Sequence, residues 1–141
     1  MRNNPFGQPG ESGQPHPPGR FFRGNIHSHS TRSDGLLSPP EVVRAYRQHG
    51  YDFLAITDHF IERYGFPITD TSPYRTPNFT TILAAEMHAP GLQNGIIWDL
   101  LGIGLPPDFA PGPKDEPAGA LCRRAADAGA FVAIAHPAWN G

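Results

Sequence analysis

A single cysteine, Cys122, among 141 residues excludes an intramolecular disulfide framework, so a reducing, cytoplasmic compartment is the default expectation. Excess charge of one sign is also missing: 11 Lys and Arg against 13 Asp and Glu leave a net charge of −2. That balance provides no basic stripe and no large counterion-release term, and thus indicates no nucleic-acid partner. The amino terminus has no apolar stretch of signal-peptide length, and no segment approaches the roughly 20 apolar residues that span a bilayer, so no membrane partner is expected. A Gly-rich phosphate loop of Walker type is absent, and serine or cysteine triads have little support. Cys122 lies on the apolar face of a helical pattern with Leu121, Ala125 and Ala126, which reads as core rather than nucleophile.

Breakers are abundant instead, with 16 Gly and 17 Pro. They concentrate in residues 1–20, which hold too little apolar surface to offset the entropy of ordering; a flexible tail is expected there, with His16 a solvated residue. Residues 21–141 form the domain. Phe21 to Ile26 is a strand candidate. Ser38-Pro39-Pro40-Glu41 combines an N-cap serine, a proline at the first helical position and a glutamate three residues after the cap, and Gly50 supplies a left-handed stop after His49. Tyr51 to Thr57 is a nearly continuous apolar run, as in a strand buried on both faces, and completes a βαβ unit.

Residues 60–78 read as a long loop, of the kind that acts as a lid or is simply surface, and Tyr64, Tyr74 and Arg75 on it are candidates to touch substrate. Thr80 to Glu86 and Ile96 to Leu105 are further strands. A second helix, capped near Asp115 with Pro117 in its first turn, ends at Gly129, and Phe131 to Ala135 is the fifth strand.

Four apolar runs end in a metal-binding residue type: at His27, at Asp58-His59, at Glu86 and at His136. In a parallel β/α barrel every strand delivers its last residue to one mouth, and nitrogen and carboxylate ligands gathered there suit divalent transition metals. Singly these motifs are weak, since His27-Ser28-His29 occurs in many strands that bind nothing and Ser33-Asp34-Gly35 is a common turn. Their order is the informative part: His-x-His, Ser-Asp-Gly, Thr57-Asp58-His59, Glu86, His136-Pro137.

That ordered set resembles the polymerase and histidinol phosphatase (PHP) superfamily, especially its stand-alone metallohydrolases, from about Gly24 onward. The resemblance implies a distorted seven-stranded β/α barrel, TIM-like, of which about five strands are present. It further implies two to three divalent metals, Zn or Mn with Fe or Mg as alternatives, hydrolysing a small-molecule phosphoester or another ester. Residue by residue, it assigns His27 and His29 to one metal, Glu86 as a bridge to a second that His136 also holds, and Asp34 with His59 to a third. Glu86, His59 and His136 are the implied catalytic residues. Asp58 is expected to orient a ligand or a bound water. His88 lines the pocket if its strand continues, and is otherwise a satisfied surface histidine. His49 is expected on the last carbonyls of its helix.

The superfamily's later ligands, a further histidine or cysteine and an Asp-x-His pair, do not follow His136, which leaves each implied metal one ligand short. The expectation is a complete amino terminus and a carboxyl-terminally incomplete domain, which by itself binds zinc or manganese weakly and hydrolyses a phosphomonoester poorly. Hydrolysis of carbamate-like esters, and a non-catalytic metal-binding or polymerase-accessory module, stay open beside phosphoester hydrolysis.

Overall fold

The computed structural model describes residues 19, 21–91 and 97–137. The expected tail, residue 19 apart, lies outside the described residues, as does Ile96 at the start of the fourth expected strand. The elements run β1 (Gly24–Asn25), α1 (Pro39–Gln48), β2 (Phe53–Ile56), β3 (His59–Phe60), β4 (Thr80–Ala89), β5 (Trp98–Ile103), α2 (Ala118–Asp127) and β6 (Phe131–Ile134). No helix among the described residues is long and apolar enough to cross a membrane.

The sheet order is β1-β2-β4-β5-β6, with β3 also paired to β4. β1, β2 and β4 are parallel neighbours, the geometry that the helical crossover α1 imposes on the first pair. β3 is the continuation of β2 in unchanged register: Ile56 sits opposite Leu83, and His59 opposite Glu86. Between them the chain leaves the ladder so that the Thr57 N–H reaches the Ser28 carbonyl at 2.7 Å, while the Glu86 N–H takes the Asp58 carbonyl at 3.1 Å. This break ties the His-x-His segment to the middle of the sheet. β4 itself runs on past Glu86 to Ala89, which puts Glu86 and His88 on one face.

β5 departs from the all-parallel reading. It is antiparallel to β4, and β6 is antiparallel to β5. The link from Ala89 to Trp98 is too short for the dozen or more residues that a crossover requires, so it can only turn back. As a result β5 begins, rather than ends, at the mouth, and β6 runs the same way as β4 and delivers His136 there.

The helices cover one face of the sheet. Val42 and Val43 of α1 pack with Leu54, Ile56 and Phe79, and Leu121 and Ala125 of α2 pack with Met87, Leu100, Leu105 and Ala130, with Cys122 against that second cluster. Glu41 accepts the Ser38 N–H at 2.9 Å at the head of α1, and Gly50 takes φ 73° at its end. For α2 the cap is Pro117, not Asp115. The residue before a proline is pushed out of helical geometry, so Glu116 cannot sit in the helix and the first turn begins only after Pro117. Glu116 instead grips Arg124 through two bonds of 2.9 and 2.7 Å, which hold its carboxyl below the usual range. Replacing Arg124 with Met should therefore lower stability by about 1 kcal/mol or less, since the pair is partly exposed; a urea titration at pH 7 measures it.

The expected loop is more ordered than its composition suggests. It contains short 3₁₀ turns at Glu62–Tyr64 and Ser72–Tyr74. Arg75 donates to the Thr81 carbonyl at 3.1 Å, and Tyr74 packs against the α1–β2 cluster, so both serve the fold. Tyr64 alone of the three reaches the mouth, its ring stacked 6.3 Å from that of His59.

Candidate metal centre

Six side chains marked in the sequence converge at the mouth, and their nitrogens and oxygens are close enough to share cations. Glu86 is fully buried at the centre. Its Oε2 stands 3.4 Å from His27 Nε2, 3.2 Å from His29 Nε2 and 3.3 Å from His59 Nδ1, while its Oε1 lies 3.1 Å from His136 Nε2. Asp34 closes the outer side, at 3.3 Å from His29 Nδ1 and 3.4 Å from His59 Nε2. Three groups could each hold an ion: His27, Glu86 and His136; His29, Asp34 and His59; His59, Glu86 and His88. The grouping places His29 with Asp34 and His27 with His136, a different partition from the one that the resemblance implies, although the six residues are the same.

Glu86 Oε2 carries the test of whether a cation fits. It is buried and receives no directed hydrogen bond among the described residues, despite three imidazole nitrogens around it. An orphaned buried carboxylate oxygen is expensive. Two ligands each about 2.0–2.1 Å from one tetrahedral cation lie about 3.3 Å apart, the spacing seen here and longer than an ordinary charge-assisted hydrogen bond. The donor set therefore fits a divalent cation better than it fits a hydrogen-bonded core.

The electrostatics agree. Burial alone would raise the Glu86 carboxyl, but the neighbouring imidazoles of His27 and His29, with the charge of His59, outweigh it and hold Glu86 well below the usual carboxylate range. His29 is raised, chiefly by its contact with Glu86, against the opposing effect of burial. His88 is lowered, chiefly by burial.

Asp58, expected to orient a ligand or a bound water, is enclosed by donors from the neighbouring loops. It is 1% exposed and accepts from Ser30 N–H at 2.7 Å, Ser30 Oγ at 2.8 Å, Ser33 Oγ at 2.8 Å and Thr69 Oγ1 at 3.2 Å. It thus fixes the loop that carries His29 and Asp34. Gly35 completes that loop: a Cβ there would meet the His29 carbonyl oxygen at 2.6 Å and the Ser30 nitrogen at 2.7 Å. Gly35→Ala should destabilise the chain by about 1–3 kcal/mol through overpacking, and thermal unfolding of the two proteins checks it.

His88 belongs to the pocket. Its Nε2 is 2.9 Å from His59 Nδ1 and its Nδ1 is 2.7 Å from Asp99 Oδ1. Asp99 is the residue that the sequence reading missed; its Oδ2 also lies 3.6 Å from His136 Nε2. The signal was a lone carboxylate inside an apolar strand, which becomes meaningful only when the hairpin sets Asp99 opposite His88. His136 takes φ 26° directly before Pro137, a sparsely populated conformation of the kind that collects at working sites.

No family model matches the chain. It is 49% identical over 38 residues, 27% of its length, to DNA polymerase/3'-5' exonuclease PolX of Bacillus subtilis, and 58% identical over 36 residues, 25% of its length, to a 5'-3' exoribonuclease of Haemophilus influenzae. These matches span 7% and 13% of those proteins. Among solved structures it is similar to a two-domain protein of Bacteroides vulgatus described as containing a predicted PHP-like metal-dependent phosphoesterase, with TM-score 0.56 and 19% identity, over 79% of this chain and 34% of that one. That likeness is one of fold: a mixed α/β partial barrel whose strands bring these side chains to one mouth.

Proposed function

We propose that this chain supplies the metal centre of a metal-dependent hydrolase acting on phosphoesters. The observation that carries the reading is Glu86 Oε2, buried and without a directed hydrogen bond, at 3.2–3.4 Å from three imidazole nitrogens. His27 and His136 with Glu86 would hold one cation, and His29, Asp34 and His59 another, with Glu86 facing both sides through its two oxygens. Divalent cations in such sites acidify water and neutralise the oxygens of the scissile ester. Glu86, His59 and His136 are the residues proposed to act at the reacting ester. Glu86 supplies the buried negative charge, and the half-buried His59 and exposed His136 border the solvent side where an ester would enter. Tyr64, stacked near His59, offers a flat apolar face to the leaving group.

The test is hydrolysis by the purified chain loaded with Zn or Mn, measured on a chromogenic phosphomonoester, a phosphodiester, a short 5'-phosphorylated oligonucleotide and a carbamate ester. Chelator-sensitive release of phosphate supports the reading. The oligonucleotide belongs in the panel because both curated relatives are, by name, enzymes of nucleic acid. Cleavage of the carbamate alone replaces phosphoester with ester chemistry, and an absence of metal uptake even at millimolar concentration rejects the centre itself.

Metal uptake should also be coupled to protons. A ligand imidazole must lose its proton to bind, and His29, whose ordinary value is 6.5, holds that proton to higher pH in the metal-free chain. Apparent affinity is thus expected to fall as the pH drops, beginning above pH 6.5, by up to about tenfold per pH unit for each proton displaced. Competition with a chelator between pH 6 and 8 gives the slope; a flat profile would mean that His29 is not a ligand.

A further inference from the structure

The chain Asp99, His88, His59 runs from the β4–β5 hairpin into the metal centre, and nothing in the proposed hydrolysis accounts for it. Asp99 Oδ1 is 2.7 Å from His88 Nδ1, and His88 Nε2 is 2.9 Å from His59 Nδ1. Both distances are hydrogen bonds. A carboxylate can only accept, so the first fixes the His88 proton on Nδ1 and leaves Nε2 as a lone pair. His59 Nδ1, although it also lies 3.3 Å from Glu86 Oε2, must then be the donor in the second and is not the atom offered to a cation. Its own Nε2 is left as a lone pair, and that is the atom facing Asp34 Oδ2 at 3.4 Å, within the group formed with His29.

We propose that Asp99 and His88 are positioning residues: they lock His59 in the tautomer that carries its proton on Nδ1, so that Nε2 is presented to the cation held with His29 and Asp34. The inference deepens the metal-centre reading and rests on it for the cation, but not for the tautomer. Metal-ligating histidines generally have their second nitrogen held by a carboxylate or a carbonyl. Here the carboxylate acts through an intervening imidazole, because β4 lies between His59 on β3 and Asp99 on β5. Asp99 also reaches toward His136 with its other oxygen, at 3.6 Å, which lets one residue brace ligands on two elements.

The test is the tautomer of His59 in the metal-free protein at about pH 8, read from long-range nitrogen–proton correlations on histidine-labelled chain. The expected result is a proton on Nδ1 of His59 in the parent, only partly kept in His88→Phe, where Glu86 Oε2 at 3.3 Å is the remaining acceptor, and fully kept in His88→Gln, whose carboxamide oxygen can replace the imidazole. Asp99→Asn, which removes the charge and lets the side chain donate as well as accept, should mix the His59 tautomers even if His88→Phe fails to fold. Zinc affinity at the His29, Asp34 and His59 group should fall about tenfold to a hundredfold in His88→Phe and recover in His88→Gln. A parent His59 carrying its proton on Nε2 would overturn the proposal. So would an unchanged tautomer in both His88→Phe and Asp99→Asn, or a His88 Nε2 resonance that shifts on zinc addition as a ligand's does. Failure to bind zinc at all, with the tautomer as expected, would count against the metal-centre reading and leave the relay standing.

Discussion

Glu86→Gln is expected to lower hydrolysis by a hundredfold or more on any substrate that the parent cleaves, with the chain still folded. The substitution keeps the size of the side chain and removes its charge. In the parent, one fully buried carboxylate turns Oε2 toward His27, His29 and His59 and Oε1 toward His136. A carboxamide has one oxygen for these two sides, and its NH₂ group would point at the His27 or His136 nitrogen proposed to ligate beside it. Loss of such an electrostatic contribution costs about 3 kcal/mol of transition-state stabilisation, which is the hundredfold. Elemental analysis should show metal content falling with activity. Asp127→Asn, on the exposed end of α2, is the matched control and should leave both unchanged. Near-native turnover and full metal content in Glu86→Gln would remove Glu86 from the site and favour a centre elsewhere.

The residues that meet at the mouth were legible because their spacing relative to the strands is local information. His27, His59 and His136 each follow a short apolar run, with His29 two residues beyond His27, and a run's end emerges at the sheet's end whatever the rest of the chain does. Glu86 was legible for a different reason than the one first applied: its strand continues to Ala89, so it reaches the mouth because β4 is longer than its neighbours, not because β4 ends. That same extension is what brings in His88. Asp99 was not legible, since its place depends on which way β5 runs, and strand direction is set by the length of the preceding link rather than by anything within the strand. The grouping of these side chains escaped the sequence too. His27 and His29 are two residues apart, yet one faces His136 and the other Asp34. The start of α2 was misplaced by reading Asp115 as a cap without giving weight to the restriction that Pro117 puts on Glu116.

Asp58→Ala should be the most destabilising substitution in the domain, by about 3–5 kcal/mol out of a total of roughly 5–15 kcal/mol for a chain of this kind. The carboxylate is 1% exposed and takes four donors at 2.7–3.2 Å: the Ser30 N–H and the hydroxyls of Ser30, Ser33 and Thr69. Alanine leaves all four without that acceptor, two of them on the fully buried Ser30, and each unmet group costs about 1–3 kcal/mol when water cannot replace the acceptor. Asp58→Asn keeps the volume and one acceptor oxygen but adds a donor among donors, so it should fall between the parent and alanine. Thr69→Val removes a single, longer bond and should cost about 1 kcal/mol. Denaturant titrations of the three variants, metal-free, give this order directly. Because the same carboxylate holds the segment between Ser30 and Ser33, which carries His29 and Asp34 at its flanks, metal affinity should fall in the same order. A loss of less than 1 kcal/mol in Asp58→Ala would mean that the loop finds other partners, and that Asp58 does not set the geometry of the centre.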